Sequence, residues 1–163
     1  MSAPSRLQDF SLHTLDGKPL DLNAFAGKPV VIVNTASACG FTPQYAGLQA
    51  LWQANRDAGL IVLGVPSNDF GGQEPGSATE IRLFCDRNFG VDFPLTEKLV
   101  VKGPQAHPLF RWLSGQAGFW GRPRWNFYKY LIGRDGRLED WFSSKTAPGG
   151  AKFQSAVQRL LRS

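Results

Sequence analysis

The sequence predicts a single α/β domain built on a central β-sheet that is covered by helices on both faces. Two short apolar runs, at residues 28–36 and 60–65, are rich in β-branched residues and predict strands buried on both sides. Segments with apolar residues at helical spacing follow these runs, and this alternation favours a layered α/β architecture. The 163 residues suit one compact domain, which we expect to span residues 1–163.

The first half of the chain is predicted to form a hairpin, then two strands with a helix between them. Residues 7–22 alternate weakly in polarity around an Asp-Gly turn signal at 16–17, a pattern typical of a β-hairpin. After the first buried strand, Thr42 is expected to cap a helix that has Pro43 at its first position. Gly59 is expected to end this helix before the second strand begins.

The second half of the chain is predicted to contain three helices and a second hairpin. Its first helix opens with Ser77 and Glu80, which form a capping-box pattern. The further elements are an extended piece at 93–95, a short helix at 107–113, a hairpin of strands 127–132 and 137–142, and an amphipathic helix at 151–161.

Composition narrows the classes of function. The two cysteines, Cys39 and Cys85, are too few for a disulfide-stapled secreted scaffold and form no CxxC pair. Two widely separated histidines give no metal-ligand cluster, so neither a metal nor another cofactor is expected. The net charge of +5 comes without basic runs interleaved with aromatic residues, which argues against nucleic-acid binding. No apolar segment indicates a signal peptide or a membrane span, so a cytoplasmic location is expected.

Cys39 lies between the first buried strand and the helix that follows it. At such a junction, unpaired backbone N–H groups and the positive end of the helix dipole favour the thiolate form of a cysteine. A thiolate there can attack a peroxide oxygen, a disulfide sulfur or an acyl carbon. The position alone is explained equally well by a buried structural cysteine.

Three motifs connect Cys39 with a known family. They read Asn-Thr-Ala-Ser-Ala-Cys-Gly-Phe-Thr at 34–42, Pro-Ser-Asn-Asp-Phe-Gly-Gly-Gln-Glu-Pro-Gly at 66–76, and Trp-Asn-Phe-Tyr-Lys-Tyr-Leu at 125–131. In this order and spacing they resemble the motifs of the glutathione peroxidase family, and the resemblance extends over about 7–161. It implies a thioredoxin-like fold with a central mixed β-sheet and an N-terminal hairpin, which matches the predicted order of elements.

The resemblance also implies a reaction, the reduction of hydrogen peroxide and of organic or lipid hydroperoxides. It assigns the peroxide-attacking nucleophile to Cys39 and the catalytic partners to Gln73, Trp125 and Asn126. The chemistry of these side chains fits, because two amides and an indole offer N–H donors that stay neutral at physiological pH. Taken singly, these three would instead be explained as a polar loop residue, a packed aromatic and a turn asparagine.

Cys85 decides the type of catalytic cycle. It shares an apolar stripe with Ile81, Phe84 and Phe89, a pattern that by itself favours a core thiol. Non-animal members of the family often carry a resolving cysteine in this helix, about 46 residues after the nucleophile, which is the separation found here. The resemblance therefore implies that Cys85 condenses with a Cys39 sulfenic acid to a disulfide, which a thioredoxin-like dithiol reduces. We expect the two sulfurs to lie apart in the reduced protein, so that the helix at 77–88 must unwind first.

Three positions depart from the family pattern, although none of them is a predicted catalytic residue. Ser67 stands where many relatives have another cysteine, and this leaves Cys85 as the only partner thiol in the chain. Asp69 replaces a glutamine and adds a charge near the site, and Thr35 replaces the usual valine.

The segment before Trp125 is short, which resembles compact family members that are monomers or weak homodimers with an open site. An open site admits bulky lipid hydroperoxides as well as hydrogen peroxide. Two interpretations fit the aromatic and basic residues nearby. They form a rim that binds an acyl chain or a reductant, or they are ordinary surface residues; the residues are Phe119, Trp120, Arg122 and Arg124.

Two alternatives to a thioredoxin-dependent peroxidase remain open. One is a peroxide sensor or redox relay that passes oxidation from Cys39 to a partner protein. The other is a one-cysteine cycle with glutathione as the reductant, in which Cys85 is only a core residue. The residues at Cys39 do not separate these cycles because the first chemical step is the same in all of them.

Overall fold

The computed structural model describes residues 3–163. Met1 and Ser2 lie outside the described residues; they are the first two residues of the predicted domain and of the N-terminal stretch that has no signal pattern. The elements follow in the order β1 (Leu12–His13), β2 (Pro19–Leu20), β3 (Val30–Thr35), α1 (Gln44–Asn55), β4 (Ile61–Pro66), α2 (Ala78–Phe89), α3 (Pro108–Ala117), β5 (Lys129–Ile132), β6 (Leu138–Phe142) and α4 (Ala151–Arg162). Short 3-10 helices lie at Leu7–Asp9, Leu22–Phe25 and Arg56–Ala58.

The central sheet has the strand order β4-β3-β5-β6 and is mixed, as predicted. Strand β3 pairs in parallel with β4 and antiparallel with β5, and β5 pairs antiparallel with β6. Every residue of β3 and β4 is buried, which confirms the interpretation of the two β-branched runs. The predicted N-terminal hairpin is confirmed as a separate two-stranded sheet of β1 and β2, but it is shorter than residues 7–22 because Leu7–Asp9 forms a 3-10 helix.

Two hydrophobic clusters, one on each face of the sheet, make up the core. Side chains of α1, α2 and α4 pack on the face presented by Val31 and Val33, and both cysteines belong to this cluster. Helix α3 and the N-terminal segments pack on the opposite face, against Val30 and Ile32. Because successive residues of a strand point to opposite faces, β3 contributes to both clusters. The predicted cover of helices on both faces is confirmed.

The ends of three elements differ from the predictions. Helix α1 begins at Gln44 with Pro43 as its N-cap, because the Thr42 side chain is engaged elsewhere. Helix α3 runs on to Ala117 instead of ending at 113. Strand β5 begins at Lys129 because Phe127 has a φ of 63°, a left-handed conformation that interrupts an extended strand.

Two predicted helix signals are confirmed. The side chains of Ser77 and Glu80 form a reciprocal capping box at the start of α2. Gly59 ends the segment of α1 and its 3-10 extension with a φ of 100°, which is accessible to glycine. In residues 3–163, none of the helices combines the length and the apolar character needed to cross a membrane.

Candidate active site

The loop between β3 and α1 fixes the position of Cys39. The hydroxyl of Thr42 accepts a hydrogen bond from the Cys39 backbone N–H at 2.9 Å and donates one to the carbonyl of Ala36 at 2.8 Å. The expectation that Thr42 caps the helix was wrong, because its hydroxyl closes the loop around Cys39 instead. The cysteine is therefore held at the carboxyl end of β3, one turn before α1 begins.

The sulfur of Cys39 receives a hydrogen bond from the backbone. The N–H of Phe41 donates to Cys39 Sγ at 3.3 Å, while the cysteine itself is 8% exposed. This contact fixes the direction of the Cys39 side chain within the loop. The donor belongs to the loop and not to α1, which begins at Gln44.

The loop that carries Gln73 packs against the loop that carries Cys39. The Ala38 backbone N–H donates to the carbonyl of Gln73 at 3.0 Å, and the Ser37 hydroxyl donates to the Glu74 carboxylate at 3.1 Å. The Glu74 carboxylate is nearly inaccessible to solvent, and this burial raises its pKa. These contacts hold the backbone of Gln73 next to the Cys39 loop.

Gly71 allows the same loop to approach Trp125 closely. Its φ is 67°, and a Cβ at this position would lie 3.1 Å from Trp125 Cη2. A larger residue would therefore be strained in its backbone and would also push against the indole ring. The ring of Phe70 also packs on this indole, with ring centroids 6.0 Å apart.

Gln73 and Asn126 are bonded directly through their side chains. Asn126 Nδ2 donates to Gln73 Oε1 at 2.9 Å, and Asn126 is fully buried. Because the Gln73 oxygen is engaged, the orientation of its amide group is set and its nitrogen keeps its N–H donors for another partner. The Ser144 hydroxyl donates to the Asn126 carbonyl at 2.5 Å and holds the backbone at this point.

Asn34 is a positioning residue to which the sequence analysis gave no role. Its Nδ2 donates to the Trp125 carbonyl at 2.9 Å, and its Oδ1 accepts the N–H of Tyr128 at 3.1 Å. Its carbonyl also accepts the N–H of Phe127. The end of β3 thereby clamps the segment that carries Trp125 and Asn126. A polar residue at the end of an otherwise apolar buried strand was the available signal.

Cys85 lies on α2 and belongs to the same hydrophobic cluster as Cys39. It is completely buried beside Tyr45, and both cysteines are free thiols. Burial raises the pKa of the Cys85 thiol to about 11, and the Glu74 carboxylate adds to the rise. In the folded chain Cys85 is thus held as a neutral thiol, the form that is a poor nucleophile.

The three departures from the family pattern sit outside the Gln73–Asn126 contact. The Asp69 carboxylate accepts the backbone N–H groups of Val101, at 2.6 Å, and of Lys102, at 3.2 Å. The charge that Asp69 adds is therefore bound by a neighbouring loop. Ser67 is buried and accepts the N–H of Asp69 at 3.3 Å, and Thr35 is buried at the end of β3.

Lys129, the first residue of β5, supports the site through the loop at 143–146. Its completely buried amine donates to the carbonyl of Ser143 at 3.1 Å and to that of Thr146 at 2.6 Å. This holds the loop whose Ser144 binds the Asn126 carbonyl. Burial lowers the pKa of Lys129 from 10.5 to about 7.

This burial predicts a pH-dependent stability. Above pH 7 the folded chain releases the Lys129 proton, whereas the unfolded chain keeps it up to about pH 10.5, so the free energy of unfolding should rise with pH. Lys129→Met removes this titrating group. As the pH rises from 7 to about 10.5, the free energy of unfolding of the native chain should therefore increase relative to that of the variant, by up to about 1.4 kcal/mol per pH unit. Urea unfolding at several pH values, in the presence of reductant, measures this slope. A difference independent of pH would show that the buried amine does not change protonation.

Known proteins resemble this chain in sequence and in structure. The family described as "Glutathione peroxidase" matches residues 7–114. The "Hydroperoxy fatty acid reductase gpx1" of Synechocystis sp. is 47% identical, over 98% of each protein. A crystal structure of Trgpx in the apo form superposes with a TM-score of 0.78 and 35% identity, covering 98% of this chain and 97% of that one.

A more distant neighbour bears on the fold alone. A thiol:disulfide interchange protein of the thioredoxin family from Chlorobium tepidum has a TM-score of 0.66 and 19% identity, over 99% of each chain. The thioredoxin-like fold that the motifs implied is thereby confirmed. With the match over residues 7–114 and the close relative along nearly the full length, the chain belongs to the glutathione peroxidase family.

Proposed function

We propose that this chain is a single-domain thiol peroxidase that reduces hydrogen peroxide and organic or lipid hydroperoxides, with Cys39 as the nucleophile. The observation that carries the proposal is the Phe41 N–H bond to the Cys39 sulfur, in a loop packed against the bonded pair Gln73 and Asn126. Membership of the glutathione peroxidase family supports the reaction. The name of the Synechocystis relative, a hydroperoxy fatty acid reductase, supports lipid hydroperoxides as a substrate class.

The first step is the attack of the Cys39 thiolate on a peroxide oxygen. A sulfur–oxygen bond forms while the oxygen–oxygen bond breaks, so that sulfur is oxidised to the sulfenic acid and the peroxide is reduced. The departing oxygen takes a proton and leaves as water or an alcohol. N–H donors of Gln73 and Trp125 would bind the peroxide and stabilise the charge that develops on the leaving oxygen. Asn126 would act on the same oxygens and also orient the Gln73 amide through their mutual bond.

In the second step, the sulfur of Cys85 attacks the sulfenic acid of Cys39. A disulfide forms and the hydroxyl leaves as water, and a thioredoxin-like dithiol then reduces the disulfide by exchange. Complete burial and a pKa of about 11 require that α2 open before Cys85 reacts. The helix is suited to this because only Ile81 and Cys85 among its residues are fully buried.

We expect substitution of Asn126 by leucine to slow the oxidation of Cys39 by about 10²-fold, because a donor to the peroxide and the support of Gln73 are both lost. Stopped-flow fluorescence with excess hydrogen peroxide measures this step without any reductant. The same loss is expected for Gln73→Leu, and the double variant should lose less than the two losses combined, since the two amides act as a unit. Unchanged oxidation rates in both single variants would contradict the assignment.

Parallel turnover assays with thioredoxin and with glutathione test the reductant. Faster turnover with thioredoxin is the expected result for a two-cysteine cycle, and turnover with glutathione alone would favour the one-cysteine cycle. Trapping of mixed disulfides with other proteins, without turnover, would favour the sensor. A cytoplasmic location and a monomeric or weakly dimeric state stay predictions from the sequence.

A further inference from the structure

A cavity lies beside Phe70, the residue whose ring packs on the Trp125 indole. It has a volume of about 490 Å³ and is formed by α3, by the loop around residues 101–106, and by the segment that precedes Trp125. Such a volume is in the range of small-molecule sites. Its wall includes the buried rings of Phe70 and Phe110, and its rim carries four cationic side chains: Lys102, Arg111, Arg122 and Arg124. We call this the basic cavity.

The positive charge of the basic cavity is not neutralised by the protein. Its lining contains no acidic residue, and in residues 3–163 none of the four cations forms a salt bridge. The Asp69 carboxylate touches the same region but is bound by the backbone N–H groups of Val101 and Lys102. Like charges gathered at one cavity raise the local potential and attract an anion.

Aromatic rings and carbonyl groups orient three of these cations without neutralising them. The Lys102 amine lies 4.9 Å from the centroid of the Phe70 ring. Arg122 stacks on the ring of Phe119 at 4.0 Å, and Arg124 lies over Trp120 at 5.3 Å. Each arginine also donates to the carbonyl of the residue on whose ring it lies. Cation–π contacts hold such side chains in place while their charge stays available to a ligand.

The basic cavity shares the lining residue Arg124 with a cavity beside the loop of Cys39. Arg124 lines the basic cavity and also a second cavity of about 370 Å³, whose wall includes Trp125 and Phe41. The Phe41 N–H donates to the Cys39 sulfur, so this second cavity adjoins the loop of the nucleophile. Aromatic side chains line both cavities, and the four cations lie at the one that is further along the chain of contacts from Phe41.

We propose that the basic cavity binds the carboxylate of a long-chain fatty-acid hydroperoxide, whose acyl chain crosses Trp125 and brings the peroxide to Cys39. This inference rests on the proposed peroxidase function. Arginine and lysine bind carboxylates through charge-assisted hydrogen bonds, and the apolar wall of Phe70 and Phe110 suits the adjoining methylene groups. Glutathione also carries carboxylates but lacks an acyl chain, and the experiment separates the two sources.

The test compares three peroxides with thioredoxin as the reductant: a hydroperoxide of linoleic acid, its methyl ester, and hydrogen peroxide. In the variant Lys102→Gln/Arg111→Gln, kcat/KM for the acid should fall about tenfold through a higher KM, while the ester and hydrogen peroxide are unaffected. Both residues are exposed and lie outside the proposed catalytic set, so the fold should be kept. The matched control Lys28→Gln/Arg159→Gln removes two exposed charges that do not line the cavity, and it should retain the preference for the acid.

A binding measurement separates this inference from the proposed function. Linoleate itself carries no peroxide, and calorimetry should show that the double variant binds it about tenfold more weakly than the native chain. If the native chain fails to reduce hydrogen peroxide yet binds linoleate through the basic cavity, the proposed function fails and the carboxylate site stands. Equal kinetic losses for acid and ester, or equal linoleate affinities, would overturn the inference. The hydrogen peroxide assay is repeated with glutathione in place of thioredoxin; a loss in the double variant that appears only with glutathione would assign the cavity to the reductant and overturn the inference as well.

Discussion

Substitution of Cys39 by serine is expected to abolish peroxide turnover, with a loss on the order of 10³-fold or more. A serine hydroxyl is not ionised at neutral pH, so neither the attack on the peroxide nor the sulfenic acid is available to the variant. The bonds of Thr42 to the Cys39 backbone and to the Ala36 carbonyl involve no sulfur and should survive the change. Turnover of hydrogen peroxide in the presence of thioredoxin measures the effect.

Two controls separate lost chemistry from lost structure. The thermal unfolding of Cys39→Ser should resemble that of the native chain, because the two side chains are nearly isosteric and Cys39 is 8% exposed. The native chain treated with iodoacetamide at Cys39 should be equally inactive. Peroxide consumption near the native rate in the serine variant would end the assignment of the nucleophile.

Substitution of Cys85 by serine should have the second largest effect, and it should fall on a different step. One equivalent of peroxide is still consumed, since Cys39 reacts without help from Cys85. Continued turnover with thioredoxin should then drop on the order of 10²-fold or more, because no internal disulfide forms for the dithiol to exchange with. Single-turnover and steady-state rates measured on the same sample separate the two steps.

The disulfide itself is checked by mass spectrometry of protein oxidised with one equivalent of peroxide. An internal bridge between Cys39 and Cys85 is expected in the native chain. Burial raises the pKa of the Cys85 thiol from 9.0 to about 11, so the packed position favours the neutral thiol. As the pH rises from 9 toward 11, the exposed thiol ionises more readily than the buried one, and the closed helix becomes less stable relative to the open helix. Bridge formation should therefore accelerate with rising pH. Two free thiols, or an overoxidised Cys39, would favour the one-cysteine cycle.

The sequence predicted those parts of the fold that local patterns determine. A run of β-branched residues identified β3 and β4, and a capping box located the start of α2. The start of α1 was missed because the Thr42 hydroxyl, a good helix cap in isolation, forms a better pair of bonds inside the Cys39 loop. The start of β5 was predicted wrongly because a phenylalanine does not indicate the left-handed backbone conformation that Phe127 adopts.

The candidate site was predictable to the extent that its residues fall within recognisable motifs. The structure brings Gln73 and Asn126 into direct contact and places Trp125 against the same loop. The clamp by Asn34 could not be derived from the sequence, because its partners are distant in the chain. Trp125 is 91 positions away from Asn34, and Tyr128 is 94 positions away. Such long-range hydrogen bonds depend on the pairing of β3 with β5, which a local pattern does not reveal.

The complete burial of Cys85 also sets a dose limit on the proposed cycle. The sulfenic acid on Cys39 persists for as long as α2 stays closed, and during that interval a second peroxide molecule can carry the sulfur on to the irreversible sulfinic acid. Bridge formation and this second oxidation compete, and only the second depends on peroxide concentration. The tolerated concentration is therefore proportional to the opening rate of α2. Substitutions in the capping box of Ser77 and Glu80 would change the opening rate of α2, and with it the peroxide concentration at which Cys39 becomes overoxidised, while Cys39 itself stays unchanged.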